Sequence, residues 1–131
     1  MRIGLTFALA LLTLPAAAQE VPIQDTIRQQ IQAFEADDFA RAFTYASPTI
    51  HQLFGTPDAF GKMVREGYPM VWHPADVAML ELRFIGGAYW QRVRVTDAKG
   101  LGYLLDYQMV EGPDGWLINA VQMQNAPDVG A

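Results

Sequence analysis

Apolar residues recur every three or four positions in the first half of the chain and alternate with polar ones after Asp76, so helices should precede strands. Ile23, Ile27, Ile31 and Phe34 stand four, four and three apart, which sets them on one helix face with Arg28, Gln29, Gln32 and Glu35 elsewhere. Asp37 or Asp38 can cap a second short helix whose inner face is Phe39, Ala42, Phe43 and Ala46. Ser47-Pro48 and Thr56-Pro57 each join a capping hydroxyl to a proline at the first helical position, and Gly55 stops the piece between them. The helix after Thr56 turns Phe60, Met63 and Val64 inward and ends near Gly67. Tyr68-Pro69 and His73-Pro74 force extended backbone before each proline, which predicts a linker or irregular strand from Tyr68 to Ala75.

Three turn signals divide the remainder into four strands. Gly86-Gly87 is a two-residue hairpin turn, because both positions can take positive φ. Closing it on Ile85 and Ala88 sets Phe84 opposite Tyr89, Leu82 opposite Gln91, Leu80 opposite Val93 and Ala78 opposite Val95 on one apolar face. The other face pairs Glu81 with Arg92 as ions and Arg83 with Trp90 as cation and ring. Asp97-Ala98-Lys99-Gly100 makes a turn with Gly100 as a bulge, and the inner face continues through Tyr103, Leu105 and Tyr107. Gly112-Pro113-Asp114-Gly115 allows two registers: an Asp-Gly turn, which we prefer, sends Trp116 and Ile118 inward, and a Pro-Asp turn with a bulge sends Leu117, Asn119 and Val121 inward. The result is an α+β fold with N-terminal helices packed on one face of a curved antiparallel sheet of four or more strands.

The N-terminus changes the compartment. Arg2, the apolar run Ile3 to Leu14 and Ala16-Ala17-Ala18 have the form of an export signal, which predicts a signal peptide over 1–18 and one domain over 19–131 in the periplasm. The run is too short for a membrane anchor, and no later segment approaches the length needed. With no cysteine among 131 residues, disulfides play no part in an oxidising compartment, and packing must supply the stability. The net charge of −5, without a basic block, excludes nucleic acid as a partner and disfavours anionic membrane surfaces.

The runs Phe43-Thr44-Tyr45-Ala46-Ser47-Pro48-Thr49-Ile50, Phe60 with Met63-Val64-Arg65-Glu66-Gly67-Tyr68-Pro69, Gln91-Arg92-Val93, and Asp114-Gly115-Trp116 with Ile118 resemble, in this order, an exported proteobacterial family, domain of unknown function 4864. That family in turn is similar to the nuclear-transport-factor-like, or SnoaL-like, superfamily. The resemblance implies a cone-shaped, cystatin-like barrel with a pocket between helices and sheet, and dimerisation through the sheet. The superfamily hosts isomerases, dehydratases, cyclases and proteins without catalysis, so fold alone selects no function.

Gln91 is a polar amide among apolar inner positions, so it either faces a cavity or is satisfied structurally. Tyr89, Tyr103 and Tyr107 add phenols to the same face, either as core or as pocket lining. With Tyr68, His73 and Trp116 they form the candidate ligand-binding set, open to an apolar small molecule or a partner peptide. Met79, Trp90, Arg92 and Arg94, extended by Leu104 and Val110, form a candidate homodimer interface on the outer face. Isomerase-type chemistry needs a carboxylate base beside an oxyanion site; Tyr107 or Tyr103 could donate, but Asp106 alternates to the far face, and Asp37 and Asp38 are explained by capping. No catalytic residue is assigned. His51, His73 and Asp76 make no convincing zinc set, and no Gly-rich phosphate loop, G-x-S-x-G elbow or cysteine nucleophile is present, so no metal or cofactor is called for. The favoured function is a non-catalytic exported binding or accessory domain; the alternatives are an isomerase, dehydratase or cyclase, and a purely structural dimer module.

Overall fold

Ile23, Ile27, Ile31 and Phe34 turn one side of α1 (Ala16–Glu35) into the core, where each is buried. The computed structural model describes residues 16–124. The N-terminal apolar run expected to direct export, up to residue 15, and the polar tail from residue 125 lie outside them. Asp38 caps α2 (Phe39–Thr44), its carboxylate accepting from the Arg41 N–H at 3.0 Å. Ser47 caps α3 (Pro48–Phe54) and Thr56 caps α4 (Pro57–Gly67), each hydroxyl accepting from the N–H three residues on. Gly55, at φ 80°, separates them.

Tyr68 to Ala75 is neither linker nor irregular strand: Pro69–Trp72 forms a one-turn helix, α5. Each proline restrains only the residue before it. Tyr68 and His73 do leave the helical region, but Pro69 itself has the φ of a first helical residue, and Met70 and Val71 bury behind it.

Four antiparallel strands follow in meander order, β1 (Asp76–Ile85), β2 (Ala88–Thr96), β3 (Gly102–Gly112) and β4 (Gly115–Met123), forming an open sheet with the helices packed against one face. Gly86 and Gly87, at φ 61° and 83°, close the first hairpin, and Ile85–Ala88, Phe84–Tyr89 and Leu82–Gln91 pair as the alternation predicts. Beyond Leu82 the register changes. Leu80 and Glu81 form a bulge, after which Met79 faces Val93 and Val77 faces Val95. The extra residue reverses the parity of the strand's first half, so Met79 and Val77 pack on the core, and the expected pairing of Leu80 and Ala78 with those valines does not occur.

The Val95–Tyr103, Val93–Leu105 and Gln91–Tyr107 pairs of the second hairpin match the predicted register. Its loop is held by Asp97, whose carboxylate accepts from the Lys99 and Leu101 N–H groups and from the Tyr103 hydroxyl. In the last hairpin Gly112 pairs with Gly115, so the turn residues are Pro113 and Asp114 rather than Asp114 and Gly115. Trp116 and Ile118 nonetheless face inward, and one extra residue at Asn119 restores Val121 to the inner face opposite Tyr107. The preferred Asp-Gly turn therefore does not form; on the Pro-Asp turn the inward residues come from both alternatives, Trp116 and Ile118 before the bulge and Val121 after it.

The β4 edge is bridged at Ile118. The Ser47 N–H donates to the Ile118 carbonyl and the Ile118 N–H to the Tyr45 carbonyl, both at 2.8 Å, so the segment before α3 lies along the strand as a short parallel bridge. No helix among the described residues is long and apolar enough to cross a membrane.

Candidate functional site

The two capped helices α3 and α4 lean their apolar faces, Ile50 and Phe54 with Phe60, Met63 and Val64, toward the β3–β4 end of the sheet without touching it everywhere. A cavity of about 510 Å³ remains between them. Its floor is Tyr107, Ile118 and Val121, its back wall Gln30 and Phe34 of α1, and its mouth is edged by exposed Thr49 and Leu53. Phe34, Phe43, Phe54 and Phe60 gather beside it, with ring centres 5.0 to 6.0 Å from Phe60, so the aromatic cluster walls the space rather than filling it.

Few polar atoms reach this cavity. The Tyr68 hydroxyl donates to the Val121 carbonyl at 3.2 Å. Asn119 accepts from the Ser47 hydroxyl at 2.7 Å and donates to Gln108 at 2.8 Å. The Gln30 amide nitrogen donates to the Ala42 carbonyl at 3.2 Å, while its oxygen has no partner among the described residues. The Tyr107 hydroxyl, on a residue 1% exposed, has no hydrogen-bond partner there either. Burial drives its pKa far above the ordinary tyrosine value, with neighbouring Tyr68 adding to the rise, so Tyr107 keeps its proton and acts as a donor.

Of the residues singled out as ligand-binding, the structure brings Tyr68 and Tyr107 together here and sets the other five elsewhere. His73 is exposed beside Trp72, its Nε2 4.0 Å from Asp37. Tyr89 packs between Phe84 and Trp116 at the Gly86-Gly87 end of the sheet. Tyr103 is committed to Asp97 in the second hairpin. Trp116 edges a separate, open depression with Pro22, Tyr45 and His51. Gln91 lies under the β1 bulge, donating to the carbonyls of Leu80, Glu81 and Arg92 and accepting from Gln24, which satisfies it without any cavity. Gln30 and Asn119 were not singled out. Gln30 was detectable, since it sits three residues after Ile27 on the buried stripe; Asn119 is inward in the Pro-Asp alternative with a bulge, and it reaches the cavity where β4 gains its extra residue.

The outer face carries a different arrangement. Arg92 donates to both oxygens of Asp106, at 2.8 and 2.9 Å, and Gln124 donates to the same carboxylate at 2.8 Å. Glu81 lies 3.8 Å from Arg92 as the alternation predicts, while the Arg83 guanidinium approaches Asp106 at 3.9 Å although its backbone stands opposite Trp90. The hydrogen bond with Asp106 raises the Arg92 pKa further. Asp106 therefore belongs to an ion cluster on the face away from Tyr107. Trp90, Arg92 and Arg94 share this outer face, but Met79, expected with them, is inside because of the bulge. Among the described residues no three of His, Cys, Asp and Glu gather as a metal set.

Neutral lining, a protonated phenol and an amide oxygen describe a place that can hold a molecule by shape and hydrogen bonding. Residues 16–131 match the family described as Domain of unknown function (DUF4864). The chain belongs to that family. No curated protein and no solved structure matches it. Membership in DUF4864 brings no activity with it, so function has to be argued from the cavity.

Proposed function

We propose that this chain is an exported, non-catalytic binding or accessory domain that holds an apolar small molecule, or the apolar segment of a partner peptide, in the cavity behind α3 and α4. The supporting observation is the Tyr107 hydroxyl, buried and without a partner among the described residues at the floor of a mostly apolar space. Buried hydroxyls are nearly always hydrogen-bonded, so its partner comes from whatever fills the cavity. The helix-then-meander order agrees with a nuclear-transport-factor-like cone as the finer description of the fold, and Arg2, the run Ile3 to Leu14 and Ala16-Ala17-Ala18 support export to the periplasm.

An isomerase, dehydratase or cyclase needs a base beside the reacting carbon. No carboxylate, imidazole or thiol lines the cavity among the described residues, and Tyr107 holds its proton too tightly to serve. Binding is the chemistry these side chains support. Nile red, a neutral apolar fluorophore, should brighten and shift to the blue with the wild-type protein. Ile50→Trp, which fills the space from α3, should abolish the change while the circular dichroism spectrum stays native. Equal brightening by both proteins would place the dye elsewhere and remove the reading.

A further inference from the structure

We infer that the occupant of this cavity is uncharged and carries one head group that both accepts and donates a hydrogen bond, a hydroxyl or a primary carboxamide, held between Tyr107 and Gln30. The inference rests on the binding reading above and specifies its ligand.

Two buried polar atoms lack partners among the described residues, and both belong to residues lining the same cavity. Tyr107 offers an O–H, and its raised pKa keeps that proton in place. Gln30, 4% exposed, is oriented by its own amide: the nitrogen must be the atom facing the Ala42 carbonyl at 3.2 Å, because an oxygen there would repel it. The Gln30 oxygen is thereby left as an acceptor. One donor and one acceptor together call for the complementary pair on the ligand, which a hydroxyl or a carboxamide provides in one group.

Charge is excluded by the rest of the lining. Among the described residues no lysine or arginine lines the cavity, so a carboxylate or phosphate would lose its hydration without a counter-ion; no aspartate or glutamate among them lines it, so an ammonium would fare the same. Of the other polar side chains, Tyr68 on the Val121 carbonyl and Asn119 between Ser47 and Gln108 are already committed to protein atoms, and Thr49 stands exposed at the mouth, in reach of solvent. The body of the ligand therefore meets Phe34, Ile50, Phe60 and Val64, and its head meets Tyr107 and Gln30.

Displacement of Nile red by a matched alkyl series tests this with the purified full chain. Decanol and decanamide should compete about tenfold better than decane or decyl methyl ether, the effect of one net hydrogen bond in a dry site. Decanoate and decylammonium should compete least. Tyr107→Phe, an isosteric change that removes the orphan hydroxyl, should still bind Nile red and decane but lose the preference for decanol; Gln30→Met should lose it likewise. Equal competition by all members, tighter binding of decanoate, or an unchanged preference in Tyr107→Phe would overturn the assignment of the head group while leaving the cavity a binding site. Failure of Nile red and every alkyl compound to bind would remove the binding reading itself, and this inference with it.

Discussion

The side-chain amide of Gln91 donates to the main-chain carbonyl of Leu80 at 2.9 Å, across the point where β1 gains a residue over β2. The bulge turns carbonyls away from the regular ladder, and a fully buried glutamine receives them. Gln91→Leu keeps the volume roughly but leaves those carbonyls without a donor and the Gln24 amide without its acceptor. Stability should fall by about 1–3 kcal/mol, the cost of an unsatisfied buried group. The urea midpoint should drop with an unchanged slope; an unchanged midpoint would mean that the carbonyls find water.

On the outer face, Asp106→Ala should destabilise by about 1–3 kcal/mol, because it removes a bidentate pair and leaves the half-buried Arg92 with Glu81 alone. Arg83→Ala, which removes a looser and more exposed contact at 3.9 Å, should stay within about 0.5 kcal/mol. A double-mutant cycle of Arg92 and Asp106 by urea unfolding checks the contrast. Additive losses would show that the two residues act separately.

The two helix caps separate a local role from a wider one. Thr56→Ala removes an exposed capping bond and should cost about 1 kcal/mol. Ser47→Ala should cost more, since that hydroxyl is buried, caps α3 and also donates to Asn119 at the wall of the cavity. Thermal unfolding of the two variants gives the order directly.

Tyr107 and Tyr103 both hold their protons more tightly folded than free, Tyr107 through burial and Tyr103 through burial and then Asp97. Above about pH 10 the unfolded chain starts to release tyrosine protons that the folded chain retains. Their contribution is therefore complete below that pH and declines as the pH rises toward the folded-state values. Urea midpoints from about pH 8 to about pH 11 should fall along this limb, and Tyr107→Phe should fall less steeply than wild type.

Most of the fold was legible because its determinants are local. Ser47-Pro48, Thr56-Pro57, Gly55 and Gly86-Gly87 each fix a boundary through their own backbone preferences, and the Ile23 to Phe34 spacing fixes the buried side of α1. The bulges at Leu80–Glu81 and Asn119 were not legible, because an extra residue costs the pattern nothing locally; each shows only in what it pairs with across the sheet. Gln91 was visible as an anomaly, yet the sequence could not say whether a polar inward residue faces a cavity or a displaced carbonyl. The site suffered most. Tyr68 and Tyr107 converge on it, while Gln30 and Asn119 enter through the rotation of α1 and a strand irregularity.

The Tyr45–Ser47 segment that lies along Ile118 has a further consequence for how copies of this molecule can meet. With Ile118 already bridged, backbone-to-backbone extension is interrupted in the middle of β4, while β1 carries no such bridge among the described residues. Two molecules joined through their β1 edges use up the longer uninterrupted edge of each, so such contact closes as a symmetric couple rather than continuing into a fibre through β1.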